Sequence, residues 1–204
     1  MSNEQSTTTE ANFTDAATFS GSSLPTMEVV SVNKSELFTI EQCKQIMSEC
    51  VDELWIPTSV VGHENFHKAT RQKLRGDTQG FPFGNIRDVT KEANSSIFDF
   101  NLLGIIDQDY PQVFRYSAGD FYNMHIELTP MAPSRKITFI VNLSDPNDYK
   151  GGNIEFLNID ADPSMLNEQG SCLIFPSFMP FKINEVTEGN KCIIIGHVHG
   201  AIFK

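Results

Sequence analysis

Several things are missing from these 204 residues, and each absence excludes a class of protein. No apolar run is long enough to span a bilayer. The N-terminus shows neither the basic start nor the apolar core of a secretion signal, so a cytoplasmic location is expected. Basic residues are scarce: 15 Lys and Arg stand against 26 Asp and Glu, a net charge of −11. Neutralising phosphates needs a basic surface, so nucleic acid is not an expected partner, nor is a membrane. There is no Walker or dinucleotide glycine motif. No serine sits in a nucleophile elbow, so Ser134, His125 and Asp120 do not read as a hydrolase triad. Cys-x-x-Cys pairs are missing too. Cys43, Cys50, Cys172 and Cys192 fall in apolar patterns and read as buried free thiols in a reducing compartment. Residues 1–26 lack Lys and Arg altogether and are rich in Ser, Thr, Ala and Asn. They read as a polar tail, flexible or ordered by a partner, either another protein or a second copy of the chain.

What remains reads as one domain over residues 27–204, long enough to bury a sizeable core. Met27 to Val32 is a short β-rich run. Thr39 and Gln42 form a Thr-x-x-Gln capping box. Ile40, Cys43, Ile46, Met47, Cys50, Val51 and Leu54 then follow at helical spacing as far as Trp55-Ile56-Pro57. Thr58 to Val61 fits a strand. Residues 62–84, punctuated by Gly62, Gly76, Gly80, Pro82 and Gly84, read as a mixed loop with His63 and His67 on its surface. Asn85 caps a second predicted helix to Ser95, with Ile86, Val89 and Ala93 inward. From Ile97 the pattern is β: Phe98 and Phe100, Leu102 to Ile106, Val113 to Tyr116, and Lys136 to Leu143 with Ile137, Phe139, Val141 and Leu143 on one face. Asn153 to Ile159, Ser171 to Phe175, Lys182 to Val186 and Cys192 to Val198 follow, the last two joined by a turn at Glu188-Gly189-Asn190. Two helices before about eight short strands predict an α+β, mainly β architecture, with helices packed on a β-sandwich or jelly roll.

Chemistry concentrates between Tyr116 and Phe156. His125 and Glu127 stand two apart, and residues i and i+2 of a strand share a face. An imidazole and a carboxylate aimed at one point are two-thirds of the 2-His-1-carboxylate triad that holds non-haem Fe(II).

The motifs around that pair resemble the prolyl-4-hydroxylase-like branch of the Fe(II)/2-oxoglutarate dioxygenases. Tyr116-x-x-Gly119-x-x-Tyr122-x-x-His125 is similar to the lead-in to the family's His-x-Asp strand, and Arg135-Lys136-Ile137-Thr138-Phe139 to its Arg-x-hydrophobic strand. Asn142-Leu143-Ser144-Asp145-Pro146 with Tyr149-Lys150-Gly151-Gly152 resembles its Leu-Ser-x-x-x-Tyr-x-Gly-Gly element. Gly170 to Ser177 resembles the strand before the distal histidine, and Val186 to Lys191 the turn before the 2-oxoglutarate anchor. The resemblance runs from Met27 to Lys204. It implies a double-stranded β-helix with two N-terminal supporting helices, Fe(II) and 2-oxoglutarate as cofactors, His125 and Glu127 on the metal, and Lys191 with Tyr116 or Tyr122 on the co-substrate. Such domains are common in marine phages, which implies a viral source and a place in the host cytoplasm or the virion.

The sequence departs from the family pattern at four positions. Glu127 replaces Asp and is one methylene longer. Phe181 stands where the distal histidine is expected, and phenylalanine has no lone pair for a metal. Lys191 replaces Arg, a point charge in place of a bidentate fork. Ile193 replaces a small hydroxyl residue. His197 and His199 share strand parity with Lys191; if His197 lies opposite Phe181 on the neighbouring strand, it supplies the missing imidazole. The departures predict an oxygenase fold that has lost catalysis and serves as a structural or binding module, for instance in a virion. The alternative is an active Fe(II)/2-oxoglutarate-dependent hydroxylase with His125, Glu127 and His197 as ligands. A lectin-like sugar binder is a third reading, with no aromatic platform to carry it.

Overall fold

The computed structural model describes residues 28–32, 37–58, 65–157 and 168–203. The polar tail at 1–26, and the partner expected for it, lie outside them. The described residues form the jelly roll that the alternation predicts, two antiparallel sheets face to face with helices behind the larger one.

Strands are numbered along the chain. The larger sheet has the order β1 (Val30–Val32), β11 (Cys172–Pro176), β8 (Arg135–Asn142), β13 (Val186–Gly200), β6 (Gln112–Ser117), β4 (Thr70–Lys73) and β2 (Ile56–Pro57). β5 (Leu102–Gly104) and β9 (Tyr149–Gly151) pair onto β13. The smaller sheet is β10 (Ile154–Phe156), β12 (Phe181–Ile183), β7 (Phe121–His125) and β3 (His67–Lys68).

Both faces of the larger sheet are buried, which is why its strands read as nearly continuous apolar runs. Alternate side chains still go to different places. Ile137, Phe139 and Val141 of β8, with Cys192, Ile194 and Val198 of β13, pack towards Cys43 and Ile46 of α1 (Ile40–Ser48) and Ile86 of α2 (Phe83–Ala93). The intervening Ile140, Ile193 and Ile195 meet Ile154, Phe181 and Ile183 of the smaller sheet. The cysteines are free, as expected, with Cys43, Cys172 and Cys192 buried.

Four local readings need correction. The capping box is present, Thr39 Oγ1 accepting from the Gln42 amide at 3.2 Å. The helix nevertheless stops at Ser48, because the side-chain amide of Gln72 on β4 takes the Val51 N–H at 3.0 Å and its carbonyl at 3.4 Å, drawing the backbone away. α2 starts at Phe83, not at an Asn85 cap; the Asn85 amide donates to the Leu37 carbonyl at 3.4 Å instead. The helix runs on into a π-turn at Asn94–Phe98, so Phe98 is not in a strand. Of the predicted strand at 58–61 only Thr58, just after β2, is among the described residues, and the loop at 62–84 contains β3 and β4; His63 lies outside the described residues. Finally, the turn at Glu188-Gly189-Asn190 does not break the chain. β13 runs unbroken through it, with a register shift against β9 between Val186 and Glu188, and Gly189, at φ +71°, pairs with Tyr149.

Candidate active site

His125 ends β7, and Glu127 follows it two residues on. The Glu127 amide donates to the Ser177 carbonyl at 2.9 Å, which ties the chain just past the strand to the turn after β11. Glu127 is buried, and its two oxygens face two different imidazoles. Oε1 lies 3.2 Å from His125 Nε2, and Oε2 lies 3.3 Å from His197 Nε2. His197 therefore does reach the site, though not as expected. β12 and β13 belong to different sheets, so His197 is not the cross-strand neighbour of Phe181; it faces Glu127 across the sandwich, and its strand partner is Thr138.

Phe181 is the register partner of His125, with ring centroids 4.3 Å apart. Its ring is fully buried against Phe156 and Phe175. Burying a phenylalanine stabilises by roughly 1.5–3 kcal/mol, so this position now serves the core.

Both imidazoles are backed by acceptors. His125 Nδ1 lies 2.7 Å from the Asn123 carbonyl, and His197 Nδ1 lies 3.3 Å from Asp109 Oδ2. A neutral imidazole has one N–H. The Asn123 carbonyl can only accept, so it claims the His125 proton and leaves Nε2 facing Glu127 with a lone pair, a second proton or a bound cation between them. His197 Nε2 is buried and out of line for any hydrogen bond.

Arg135, at the start of β8, joins the carboxylates. Its Nη1 reaches Glu127 Oε2 at 2.5 Å, while Nε and Nη2 grip Asp109 at 2.6 and 2.8 Å. His199 Nε2 lies 3.0 Å from Asp109 and its Nδ1 2.9 Å from Ser134 Oγ. Burial alone would raise the Glu127 carboxyl, but His197 and then His125 hold it well below the ordinary range. Burial likewise favours a neutral His197, and Glu127 with Asp109 overcomes this and raises it.

Aromatic rings wall the site. Tyr122 stacks on His125 at 3.5 Å, and His67 stacks on Tyr122 at 3.6 Å. His67 is thus buried, contrary to the surface position expected; burial, helped by the charge on His125, pushes it down to about 3 and keeps it neutral. Its Nε2 meets the Tyr116 hydroxyl at 3.0 Å. A cavity of about 200 Å³ opens beside these groups, lined by His67, Arg71, Tyr122, Glu127, Arg135 and His197.

Lys191 lies further back on β13, paired with Tyr116. It is fully buried, and burial pushes its ammonium down to about 8. Nζ donates to the Gly152 carbonyl at 2.8 Å and has no carboxylate partner among the described residues. Gly152, at φ +67°, makes room for it: an added Cβ would sit 3.0 Å from Lys191 Cδ. The Tyr149 ring lies 5.1 Å from Nζ. The Tyr149 hydroxyl is buried without a well-formed hydrogen bond, although it lies beside the Asn142 amide. A buried cation next to an unsatisfied hydroxyl is a receptor for one carboxylate. Ile193 turns into the inter-sheet core.

These residues fit the two groups unequally. The buried Lys191 ammonium, with Tyr149 beside it, has the chemistry that the far carboxylate of 2-oxoglutarate requires. For a metal, the donor types and their backing acceptors fit an iron-type site. Yet among the described residues no three His, Cys, Asp or Glu side chains are closed around one point, since Arg135 draws Glu127 to one side.

The fold and these residues define an oxygenase-type jelly roll. Residues 111–199 match the 2OG-Fe(II) oxygenase superfamily, whose members in general depend on Fe(II) and 2-oxoglutarate. Over 87 residues it is 31% identical to a PKHD-type hydroxylase of Prochlorococcus marinus, covering 42% of this chain and 39% of that protein. A PKHD-type hydroxylase of Synechococcus sp. (strain CC9902) matches at 23% identity over 82% of this chain and 77% of its own. With several such relatives, the match spans only about two-fifths of their length. Among solved structures, a Pseudomonas putida prolyl-4-hydroxylase superposes with a TM-score of 0.62 at 16% identity, over 86% of this chain and 94% of the other. The viral collagen prolyl hydroxylase of Paramecium Bursaria Chlorella virus-1, in its 2OG complex, gives 0.61 at 17% identity, over 85% and 96%.

Of the residues that the motifs point to, Tyr122, Glu127 and His197 line the cavity, His125 lies against Glu127, and Lys191 lies deeper on β13. Tyr116 is sealed beneath His67. Asp109 had no signal in the sequence, because it comes from a short turn at Asp107–Asp109 outside every motif.

Proposed function

We propose that this protein is an Fe(II)- and 2-oxoglutarate-dependent hydroxylase of the prolyl-4-hydroxylase type, in which His197 on β13 replaces the imidazole that Phe181 removes from β12. One observation carries this reading: Nε2 of His125 and Nε2 of His197 face opposite oxygens of a single buried carboxylate, each imidazole backed at Nδ1 by an acceptor. Two imidazoles oriented this way present their Nε2 atoms to one carboxylate, and acceptors behind metal-bound histidines produce that orientation.

His125, Glu127 and His197 would hold the metal, which would supply C–H hydroxylation with dioxygen as the oxidant and 2-oxoglutarate as the co-substrate oxidised alongside the substrate. Lys191 and Tyr149 hold the far carboxylate of the co-substrate by charge and a hydrogen bond. Tyr122 and His67 fix the plane of His125 by stacking and shield it from water. Arg135 is the ion-pair partner of Glu127 while the metal is absent. The cavity beside Arg71 admits the group to be oxidised.

A second reading, a binding or structural module without catalysis, is favoured by Phe181 in the register position of His125. Anaerobic titration with Fe(II) and 2-oxoglutarate separates the two. The hydroxylase reading requires a saturable visible charge-transfer band that disappears in His125→Ala and in His197→Ala. No band and no iron uptake at millimolar metal would leave the module. A band that survives His197→Ala would show that the third ligand comes from elsewhere.

A further inference from the structure

We propose that Asp109 is the positioning residue of this site, backing His197 at Nδ1 so that its Nε2 is offered to a divalent cation. The proposal rests on the reading of His197 as a ligand.

Asp109 closes the turn before β6 and lies outside the strands that carry the family motifs. Its Oδ1 takes Arg135 Nη2 at 2.8 Å. Its Oδ2 takes Arg135 Nε at 2.6 Å and His199 Nε2 at 3.0 Å, and lies 3.3 Å from His197 Nδ1. The remaining Arg135 nitrogen, Nη1, reaches Glu127 twice, at the carbonyl (3.3 Å) and at Oε2 (2.5 Å). Oε2 in turn faces His197 Nε2 at 3.3 Å. A closed loop results: Asp109, Arg135, Glu127, His197 and back to Asp109. His199, itself anchored on Ser134 at 2.9 Å, fixes Asp109 from a third side.

An Asp109 that merely paired Arg135 would need only the bidentate contact. The placement of the same oxygen behind His197 does something further. A carboxylate at Nδ1 holds the proton there, leaves Nε2 as the lone pair and raises its basicity. Phe181 explains why such a device is needed here. An imidazole approaching from β13 instead of β12 has a different backbone behind it, and Asp109 supplies the orientation that the strand does not.

The test uses the full chain, free of metal, titrated with Co(II), whose ligand-field spectrum reports nitrogen and oxygen donors. Wild type is expected to bind, and Asp109→Asn to bind about 10- to 100-fold more weakly. Long-range 1H–15N spectra of the metal-free protein at alkaline pH are expected to show His197 as the Nδ1–H tautomer in wild type and shifted towards Nε2–H in the variant. A purely structural Asp109 would not move that tautomer. If wild type binds Co(II) and either the variant's affinity stays within about twofold or the His197 tautomer is unchanged, the Asp109 proposal falls alone. If wild type takes up no Co(II), the hydroxylase reading falls and takes this proposal with it. Should Asp109→Asn fail to fold, Asp109→Glu keeps the charge beside Arg135, moves it by one methylene and is read the same way.

Discussion

The two ends of β13 handle buried charge in opposite ways. At His197 and His199, two carboxylates, a guanidinium and the imidazoles lie within contact of one another, and each charge has an opposite within reach. At Lys191 on the same strand face, one ammonium is fully buried and meets a neutral carbonyl and the Tyr149 ring but, among the described residues, no carboxylate. The first end is compensated by the chain itself. The second is left incomplete, and burial without a counter-charge favours its neutral form. The difference shows where a ligand is needed: an anion completes the Lys191 end, whereas a cation must compete with Arg135 for Glu127.

The sharpest way to break this contrast is to remove a charge from the compensated end. Glu127→Gln leaves Arg135 and His197 facing each other without their shared anion. In metal-free protein at pH 7 it is expected to cost about 3 kcal/mol in urea unfolding, because breaking one partner from a buried ionic set strands the others. A loss under about 1 kcal/mol would show that the set is not self-compensating.

The opposite sign is expected at the other end. Lys191→Met should stabilise the metal-free protein at pH 7, by about 2 kcal/mol, since it removes a buried cation without a counter-ion. The pH dependence follows from the lowered Lys191 value, about 8 when folded against an ordinary 10.5. Between those values the unfolded chain binds more protons than the folded one, so this residue's penalty fades as pH rises from about 8 to 10.5. The advantage of Lys191→Met should shrink across the same window. An advantage that stays constant with pH would mean that a hidden anion already neutralises Lys191.

The smallest effect is expected for Tyr149→Phe. Its hydroxyl makes no well-formed hydrogen bond, so folding stability should stay within about 0.5 kcal/mol of wild type. Affinity for 2-oxoglutarate should fall about tenfold, read by isothermal calorimetry, as befits one lost hydrogen bond to a charged group.

Much of this was legible in the sequence. The parity of Ile193, Ile195 and His197 against Cys192, Ile194 and Val198 followed from a period of two, and the structure divides them between the two cores accordingly. His125, Glu127 and Lys191 were legible through motif order. What could not be read depended on contacts far apart in the chain. Gln72 ends α1 by capturing Val51, which no local helical pattern shows. His67 looked like loop because its strand is only two residues long and is held by pairing with Tyr122. His197 reaches Glu127 across the sandwich, and reasoning from neighbouring strands alone placed it beside Phe181 instead.

One feature of the topology bears on how the molecule is made. β13 is the last strand in chain order, yet it lies between β8 and β6 in the larger sheet and also carries β5 and β9. A ribosome therefore delivers the flanks of the sheet before its centre. Until residues 186–200 have emerged, β6 and β8 have no common partner, both cores lack their middle wall, and Glu127 has no His197 to face.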